Sequence, residues 1–200
     1  MAGNGAYRWA DRTFLRSDQY STESKLCARQ SIYAHQQPHL ELAPLVLDLA
    51  IRSGDEVVVD VGCGNGAYLA ELARRRHHGF VVGVDLSRGM LEAAHRATPA
   101  AHLATADACA LPLRDACADL ALAMHMLYHV LEPARAVDEM RRVLTPGGRL
   151  VVVLNAEDHL GELGRAVRKA RQELGLGAEA FGSVWGSLRG RRYSGLRSLP

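Results

Sequence analysis

The chain has 200 residues, 48% of them hydrophobic, which is enough for a folded domain with its own core. Its 24 basic and 22 acidic side chains leave a net charge of +2, so the composition does not favour a nucleic-acid partner or a membrane surface. The N-terminus lacks the pattern of a signal peptide, and no long apolar run predicts a membrane-spanning helix. The four cysteines show no C-x-x-C spacing, so we expect reduced thiols and a cytoplasmic location.

The N-terminal quarter of the chain predicts an arm followed by two helices. Residues 1–20 are polar with scattered aromatic side chains, which is typical of a loosely structured arm. Residues 21–36 show helical spacing and predict a helix capped by Ser21 or Thr22. Residues 38–52 predict a second helix, with the initial proline in its first turn.

From residue 55 onward, short apolar runs alternate with helical stretches. The apolar runs predict five strands, at 56–61, 80–84, 101–105, 120–124 and 149–154. The stretches between and after them predict four helices, near 66–76, 88–97, 133–143 and 158–174. This alternation predicts an α/β fold with a doubly wound, mostly parallel sheet that carries helices on both faces. The domain boundaries that follow are 1–53 for the N-terminal arm and helices, 54–156 for the core, and 157–200 for a final helix with a Gly- and Arg-rich tail.

The segment VVVDVGCGNGAY, residues 57–68, predicts a cofactor loop. Gly62, Gly64 and Gly66 follow a β-branched strand, at the end of the sheet where cofactors bind, and glycine lets a ligand approach the backbone closely. A dinucleotide and S-adenosylmethionine both fit a loop of this type. Asp60 favours the second, because a carboxylate would repel a pyrophosphate but is compatible with an ammonium and a sulfonium group.

A second acidic residue ends the next predicted strand. Asp85 closes the segment FVVGVD, 23 residues after Gly62. A carboxylate at this position can accept hydrogen bonds from both ribose hydroxyls of a nucleoside cofactor. Asp85 therefore supports a nucleoside cofactor but does not distinguish a dinucleotide from S-adenosylmethionine.

Four segments in order now resemble the motifs of one family. VVVDVGCGNG, VGVDLS, ATADACALPLRDACADLALAMHML and LTPGGRLVVV are similar to successive motifs of class I, Rossmann-like S-adenosylmethionine-dependent methyltransferases, especially of the small-molecule branch. The likeness covers residues 55–154. It implies S-adenosyl-L-methionine as methyl donor, S-adenosyl-L-homocysteine as product, and N-terminal helices that form a lid over the substrate.

The resemblance also implies roles for individual residues. The implied cofactor-binding residues are Asp60, Gly62, Gly64, Gly66, Asp85, Leu86, Asp107, Ala108, Met124 and His125. Among them, Asp60 would face the ammonium group, Asp85 the ribose and Asp107 the adenine amino group. Asp119, at the start of the fourth strand, is expected to be structural.

Methyl transfer to a hydroxyl or a carbon acid requires a base, whereas an amine needs none beyond solvent. The candidate bases are His125 and His129, at and after the end of the fourth predicted strand, and His159, after the fifth. In the lid, Tyr20, Arg29 and Tyr33 are expected to line the substrate, with Arg29 meeting the carboxylate of the cofactor. No set of metal ligands is predicted.

The C-terminal end departs from the family pattern. The family sheet has seven strands, but residues 157–200 predict one helix and a tail in which FGSVWG is the best strand candidate. We therefore expect strands six and seven to be absent or degenerate. The exposed sheet edge would then be covered by a second copy or by a methyltransferase-like partner subunit.

These observations favour a methyltransferase that acts on a small-molecule acceptor, with a role in specialised metabolism. The alternative is a methyltransferase-like auxiliary subunit that binds and activates or stabilises an enzyme partner. A nucleic-acid methyltransferase acting on base amines would carry an Asn/Asp-Pro-Pro-aromatic run after the fourth strand, where this chain has MHML at residues 124–127.

Overall fold

A computed structural model describes residues 11–155 and 161–175 of the chain. The described residues form one five-stranded sheet in which every neighbouring pair is parallel, in the order β3-β2-β1-β4-β5. The strands are β1 Val58–Val61, β2 Val81–Asp85, β3 His102–Thr105, β4 Ala118–Met124 and β5 Leu144–Val153. The strand order reverses between β1 and β4, which places a ligand crevice at the carboxyl ends of these two strands.

Helices lie on both faces of the sheet. They are α1 Ser24–Gln30, α2 Leu42–Ala50, α3 Ala67–Arg74, α4 Arg88–Ala97, α5 Pro133–Val143 and α6 Gly161–Glu173. Strand β4 shows how the two faces are divided, since Leu120 and Leu122 pack with α2 and α3. Ala121 and Ala123, which point the other way, pack with α5. The prediction of a doubly wound α/β fold is therefore confirmed.

The N-terminal arm is more ordered than its sequence predicts. Arg12–Phe14 is one helical turn, and Leu15–Gln19 continues it as a π-helical turn. Leu15 and Gln19 are buried, so the prediction of a loose arm is wrong for residues 11–20. Aromatic residues in a polar arm gave no local sign of where the arm docks, and tertiary contacts decide its structure.

Both N-terminal helices begin later than predicted. Helix α1 begins at Ser24 after Glu23, and Ser21 and Thr22 do not cap it. The Thr22 hydroxyl instead lies 2.9 Å from the Ser24 hydroxyl. Helix α2 begins at Leu42, so the predicted start at residue 38 is wrong.

Strand β5 begins earlier than predicted. Leu144 already pairs with Ala118, although the segment Thr145–Gly148 reads as a turn. The next pair joins Arg149 to Leu120, so the intervening residues form an irregular bulge in the ladder. The expectation of degenerate sixth and seventh strands, and the candidate base His159, lie outside the described residues and stay predictions.

Glu56 fixes the entry to the central strand. One of its carboxylate oxygens accepts hydrogen bonds from the amides of Arg52 (2.6 Å) and Ser53 (3.1 Å), and also from Arg149 (3.1 Å). The other oxygen accepts from the Gly54 amide at 2.8 Å. Burial alone would raise the pKa of Glu56, but the backbone hydrogen bonds outweigh it and lower the pKa to about 2. The carboxylate thus joins the end of α2 to β1 and β5.

Glu56→Gln is expected to lower the free energy of unfolding by about 1–3 kcal/mol at neutral pH, because an amide nitrogen replaces one accepting oxygen. The folded-state pKa lies below the unfolded value of 4.5, so the stabilisation by the carboxylate is present above that pH. It is lost as the pH falls toward about 2. Urea unfolding of both proteins should show a gap that narrows as the pH is lowered from about 6 to about 3.5, and a constant gap would contradict the assignment.

Candidate functional site

The loop between β1 and α3 adopts a backbone conformation that favours glycine. Gly62, Gly64 and Gly66 have φ angles of +73°, +54° and +82°, which L side chains rarely adopt. The Gly62 amide donates to the Val84 carbonyl at 2.7 Å, which joins the loop to the end of β2. The loop therefore lies at the carboxyl ends of the two central strands.

The three glycines differ in what surrounds them. A Cβ at Gly62 would lie 2.7 Å from Met126 Cβ, and one at Gly66 would lie 2.9 Å from Ala94 Cβ. At Gly64 the nearest atom is Leu26 Cδ2 at 3.4 Å. Gly62 and Gly66 are thus needed for packing within the protein, whereas Gly64 presents its backbone to open space.

That open space is a cavity of about 530 Å³, within the size range of small-molecule sites. Its floor consists of the carboxyl ends of the strands, and residues 12–33 cover it from the other side. Twelve of the predicted cofactor and substrate residues line it: Tyr20, Arg29, Tyr33, Asp60, Gly62, Gly64, Asp85, Leu86, Asp107, Ala108, Met124 and His125. His129 also lines the cavity, whereas Gly66 does not.

Asp60 is the most unusual group on the floor. The residue is 1% exposed, and within the described part of the chain neither of its carboxylate oxygens has a hydrogen-bond partner. The nearby Tyr68 hydroxyl is likewise buried without a partner among the described residues. Burial, followed by the charge of Asp85, raises the pKa of Asp60 to about 7. A buried carboxyl group in this state favours a cation beside it.

Asp85 is held by the backbone on both oxygens. Its Oδ2 accepts from the Gly64 amide at 2.9 Å, and its Oδ1 accepts from the Ser87 amide at 2.8 Å. Burial raises the pKa of Asp85, and the hydrogen bonds from Ser87, Gly64 and Leu86 oppose the rise. Each carboxylate oxygen has a second lone pair, so Asp85 can still accept two hydroxyl groups from a ligand.

Asp107 lies further along the same edge. Its Oδ1 accepts from the Cys109 amide at 2.8 Å, and its Oδ2 forms an ion pair with Arg12. Arg12 belongs to the N-terminal segment that covers the cavity. The segment is thus joined to the floor at the position where the resemblance predicts adenine.

Two histidines follow β4. His125 has a φ of +53°, which is uncommon for a residue other than glycine, and its amide donates to the Val153 carbonyl at 2.9 Å. His129 lies on a short 3₁₀ turn, and its Nε2 is 2.8 Å from the Tyr20 hydroxyl. The Arg29 guanidinium lies 5.1 Å from the centre of the Tyr20 ring. The two predicted lid residues and the candidate base therefore form one cluster.

Sequence reasoning missed several residues of the cavity. Arg12 and Tyr68 belong to no motif. Helix α3 places Tyr68, two positions after the last glycine of the loop, near Asp60. Met126 forms the wall against Gly62. Asp119 accepts from the Val57 amide at 2.9 Å and from the Thr145 hydroxyl at 3.1 Å, in agreement with its predicted structural role.

Comparison with known proteins agrees with this geometry. Residues 59–152 match a family described as methyltransferase domain. A solved S-adenosylmethionine-dependent methyltransferase from Mesorhizobium loti is 30% identical with a TM-score of 0.51, over 57% of this chain and 53% of that one. The matched segment is similar to the class I S-adenosylmethionine-dependent methyltransferases. The prediction from the four motifs is confirmed, and the family implies S-adenosylmethionine as methyl donor.

Two relatives of this chain differ in their acceptors. The 23S rRNA (guanine(748)-N(1))-methyltransferase of Streptomyces fradiae is 36% identical over 146 residues, which are 71% of this chain and 50% of the relative. An O-methyltransferase of Penicillium expansum is 38% identical over 110 residues, which are 52% of this chain and 40% of the relative. The chain thus spans half the length of these relatives or less.

The glycine loop makes a prediction about stability. Gly66→Ala is expected to destabilise the fold more than Gly64→Ala, by roughly 1–3 kcal/mol, because its added methyl group meets Ala94 at 2.9 Å. Both variants share the strain of a positive φ, so Gly64→Ala serves as the matched control. Urea unfolding without ligand measures the difference, and equal losses would contradict the packing role of Gly66.

Asp60 leads to a second prediction, in which stability changes with pH in the opposite direction from that expected for Glu56. Its folded-state pKa of about 7 exceeds the model-peptide value of 3.8, so its ionisation destabilises the fold increasingly as the pH rises between these values. Asp60→Asn stays neutral, and it should gain about 1–3 kcal/mol relative to the original chain between about pH 5 and about pH 8. Urea unfolding at both pH values tests this, and a difference that does not change with pH would contradict it.

Proposed function

We propose that the chain transfers a methyl group from S-adenosylmethionine to a small-molecule acceptor inside the 530 Å³ cavity. The observation that carries the proposal is the buried carboxyl group of Asp60, which has no partner among the described residues and lines the same cavity as Gly64. The methionine part of this cofactor brings a cation to such a group, whereas the pyrophosphate of a dinucleotide would bring an anion.

The charges around the cavity suit the methionine part of the cofactor. Asp60 on the floor would bind its ammonium group. Arg29 in the covering segment would bind its carboxylate, because one guanidinium nitrogen of Arg29 is buried without a partner within the described residues. A negative floor and a positive cover match a zwitterion lying between them.

The nucleoside part would extend along the edges of β2 and β3. Asp85 would accept the ribose hydroxyls on the lone pairs that its backbone contacts leave. Leu86 would pack against adenine, with Asp107 and the backbone of Ala108 near the amino group. Met124 and His125 would line the methionine side at the end of β4.

Once bound, the cofactor supplies an electrophilic methyl group on a sulfonium. The chain aligns the acceptor and excludes water, for which the apolar lining residues Leu15, Leu26 and Ile32 of the covering segment are suited. We propose His129 as the group that takes up the proton of a hydroxyl acceptor, since its ring reaches the cavity after β4. His159 stays a candidate from the sequence alone.

The small-molecule acceptor is supported by the closure of the cavity. Residues 12–33 cover it, and an ion pair of 2.8 Å between Glu23 and Arg96 joins this segment to helix α4. An acceptor that fits beneath this cover must be small, whereas a base within folded RNA would have to displace the cover. The O-methyltransferase relative has an activity of the proposed type, and the rRNA methyltransferase relative makes RNA the acceptor to test against it.

Cofactor binding is tested by calorimetric titration with S-adenosylhomocysteine. Asp85→Ala is expected to weaken binding by about 1.5–3 kcal/mol, because hydrogen bonds to a charged group are lost. Asp115→Ala is the control, since that exposed carboxylate lies before β4 at the opposite edge of the sheet. Binding of NAD, or equal affinity in the Asp85 variant, would contradict the assignment.

The acceptor class is tested with S-adenosylmethionine carrying an isotopically labelled methyl group. The full chain is incubated with a small-molecule extract of its host and, separately, with total RNA. Label in the small-molecule fraction supports the proposal, and label in RNA contradicts it. Native mass spectrometry of the chain purified from its host distinguishes an enzyme acting alone or as a homo-oligomer from an auxiliary subunit of a methyltransferase-like partner.

A further inference from the structure

Tyr20 makes two contacts that join different parts of the cavity. Its carbonyl oxygen accepts a hydrogen bond from the Ser87 hydroxyl at 2.6 Å, and the Ser87 amide in turn donates to Asp85 at 2.8 Å. Its hydroxyl lies 2.8 Å from His129 Nε2, with the two rings edge to face at 5.3 Å between centroids. One residue of the N-terminal segment therefore bridges the turn after β2 and the candidate base after β4.

Gly89 permits this arrangement. A Cβ at Gly89 would lie 2.0 Å from the Ser21 carbonyl oxygen and 2.8 Å from its carbon, both of which are backbone atoms. Gly89 is the second residue of helix α4, where alanine has the higher intrinsic helix propensity. The missing side chain is thus explained by the close approach of the N-terminal segment and not by the helix itself.

The direction of the hydrogen bond between Tyr20 and His129 depends on the tautomer of the imidazole ring. Burial raises the pKa of Tyr20, with smaller opposing effects from Arg29, so the phenol keeps its proton at neutral pH. A phenol that keeps its proton can donate to Nε2, and an Nε2 that accepts this bond leaves the proton of neutral imidazole on Nδ1.

We propose that Tyr20 holds the His129 ring in its Nδ1–H tautomer and relays the acceptor proton to Nε2, and that it does so only while the N-terminal segment is seated on Gly89. The inference rests on the proposed function for the role of His129 as a base, but the contact itself is independent of it. An acceptor proton taken up by the Tyr20 oxygen would be balanced by transfer of the tyrosine's own proton to Nε2. Closure of the cavity would thereby complete the base.

Three variants of the full chain separate these elements. Tyr20→Phe removes the hydroxyl but keeps the backbone contact with Ser87. Gly89→Ala should unseat the segment and move Tyr20 with it. Arg88→Ala, next to Gly89 on the same helical turn and with an 87% exposed side chain, is the matched control. The ¹⁵N signals of the His129 ring, assigned by their absence in His129→Gln, report the tautomer with and without S-adenosylhomocysteine.

In the original chain, Nε2 should give the signal of a hydrogen-bond acceptor and Nδ1 that of a protonated nitrogen. Tyr20→Phe should shift the Nε2 signal while S-adenosylhomocysteine affinity stays within about threefold. Gly89→Ala should shift the same signal and also weaken the affinity about tenfold or more, because the covering side chains leave the cavity. Arg88→Ala should change neither.

Either of two results would overturn the inference: a protonated Nε2 in the original chain, or unchanged His129 signals in both Tyr20→Phe and Gly89→Ala. A shift in Tyr20→Phe with no change in Gly89→Ala would overturn the role of Gly89. If the original chain fails to bind S-adenosylhomocysteine, the proposed function fails, while the measurements without ligand still decide whether Tyr20 positions His129.

Discussion

Asp60 is the penultimate residue of the central strand β1, where the sheet is covered on both faces. No group among the described residues offers its carboxyl group a hydrogen bond. A buried carboxyl group without a partner destabilises the fold once it ionises. The surrounding tertiary structure holds Asp60 in this buried position. The rest of the site follows from this constraint. Gly64 lines the same cavity, and burial, followed by the negative charge of Asp85, raises the Asp60 pKa. The floor of the cavity is prepared for a cation that the protein itself does not supply.

The cover of the cavity has a different physical basis from its floor. The floor is set by strand ends whose positions are fixed by the parallel ladder. The cover is a short helical segment held by a few separate contacts, including Arg12 with Asp107 and Glu23 with Arg96. Exposed ion pairs of this kind contribute little stability, so the cover depends on its packing and hydrogen bonds as well. When the segment covers the cavity, the Tyr20 hydroxyl contacts the ring of His129. The position of the segment thereby affects the candidate base.

The floor could be predicted from the sequence, whereas the cover was predicted only as an N-terminal lid with Tyr20, Arg29 and Tyr33 and not in its individual contacts. Asp60, the glycines and Asp85 occur in short runs whose spacing depends only on local strand–turn–helix geometry. The contacts of the cover join residues far apart in the chain, such as Tyr20 with His129, and no local pattern encodes them. Gly89 lies in no turn or cap motif of the sequence. The need for glycine there is explained only by the Ser21 carbonyl, which packs against it. The sequence TPGG is typical of a turn, so the early start of β5 was missed. In the structure these residues form a bulge of β5 in its ladder with β4.

The most direct measurement of the central claim is the number of protons released when S-adenosylhomocysteine binds. With a free-state pKa of about 7, Asp60 is largely protonated at about pH 6 and must ionise to hold an ammonium group. Calorimetry in buffers of different ionisation enthalpy should therefore show release of most of one proton at about pH 6 and almost none at about pH 8.5. The release should be absent in Asp60→Asn, which separates Asp60 from Asp85. Binding without proton release at the lower pH, or an equal release in the Asn variant, would contradict the account.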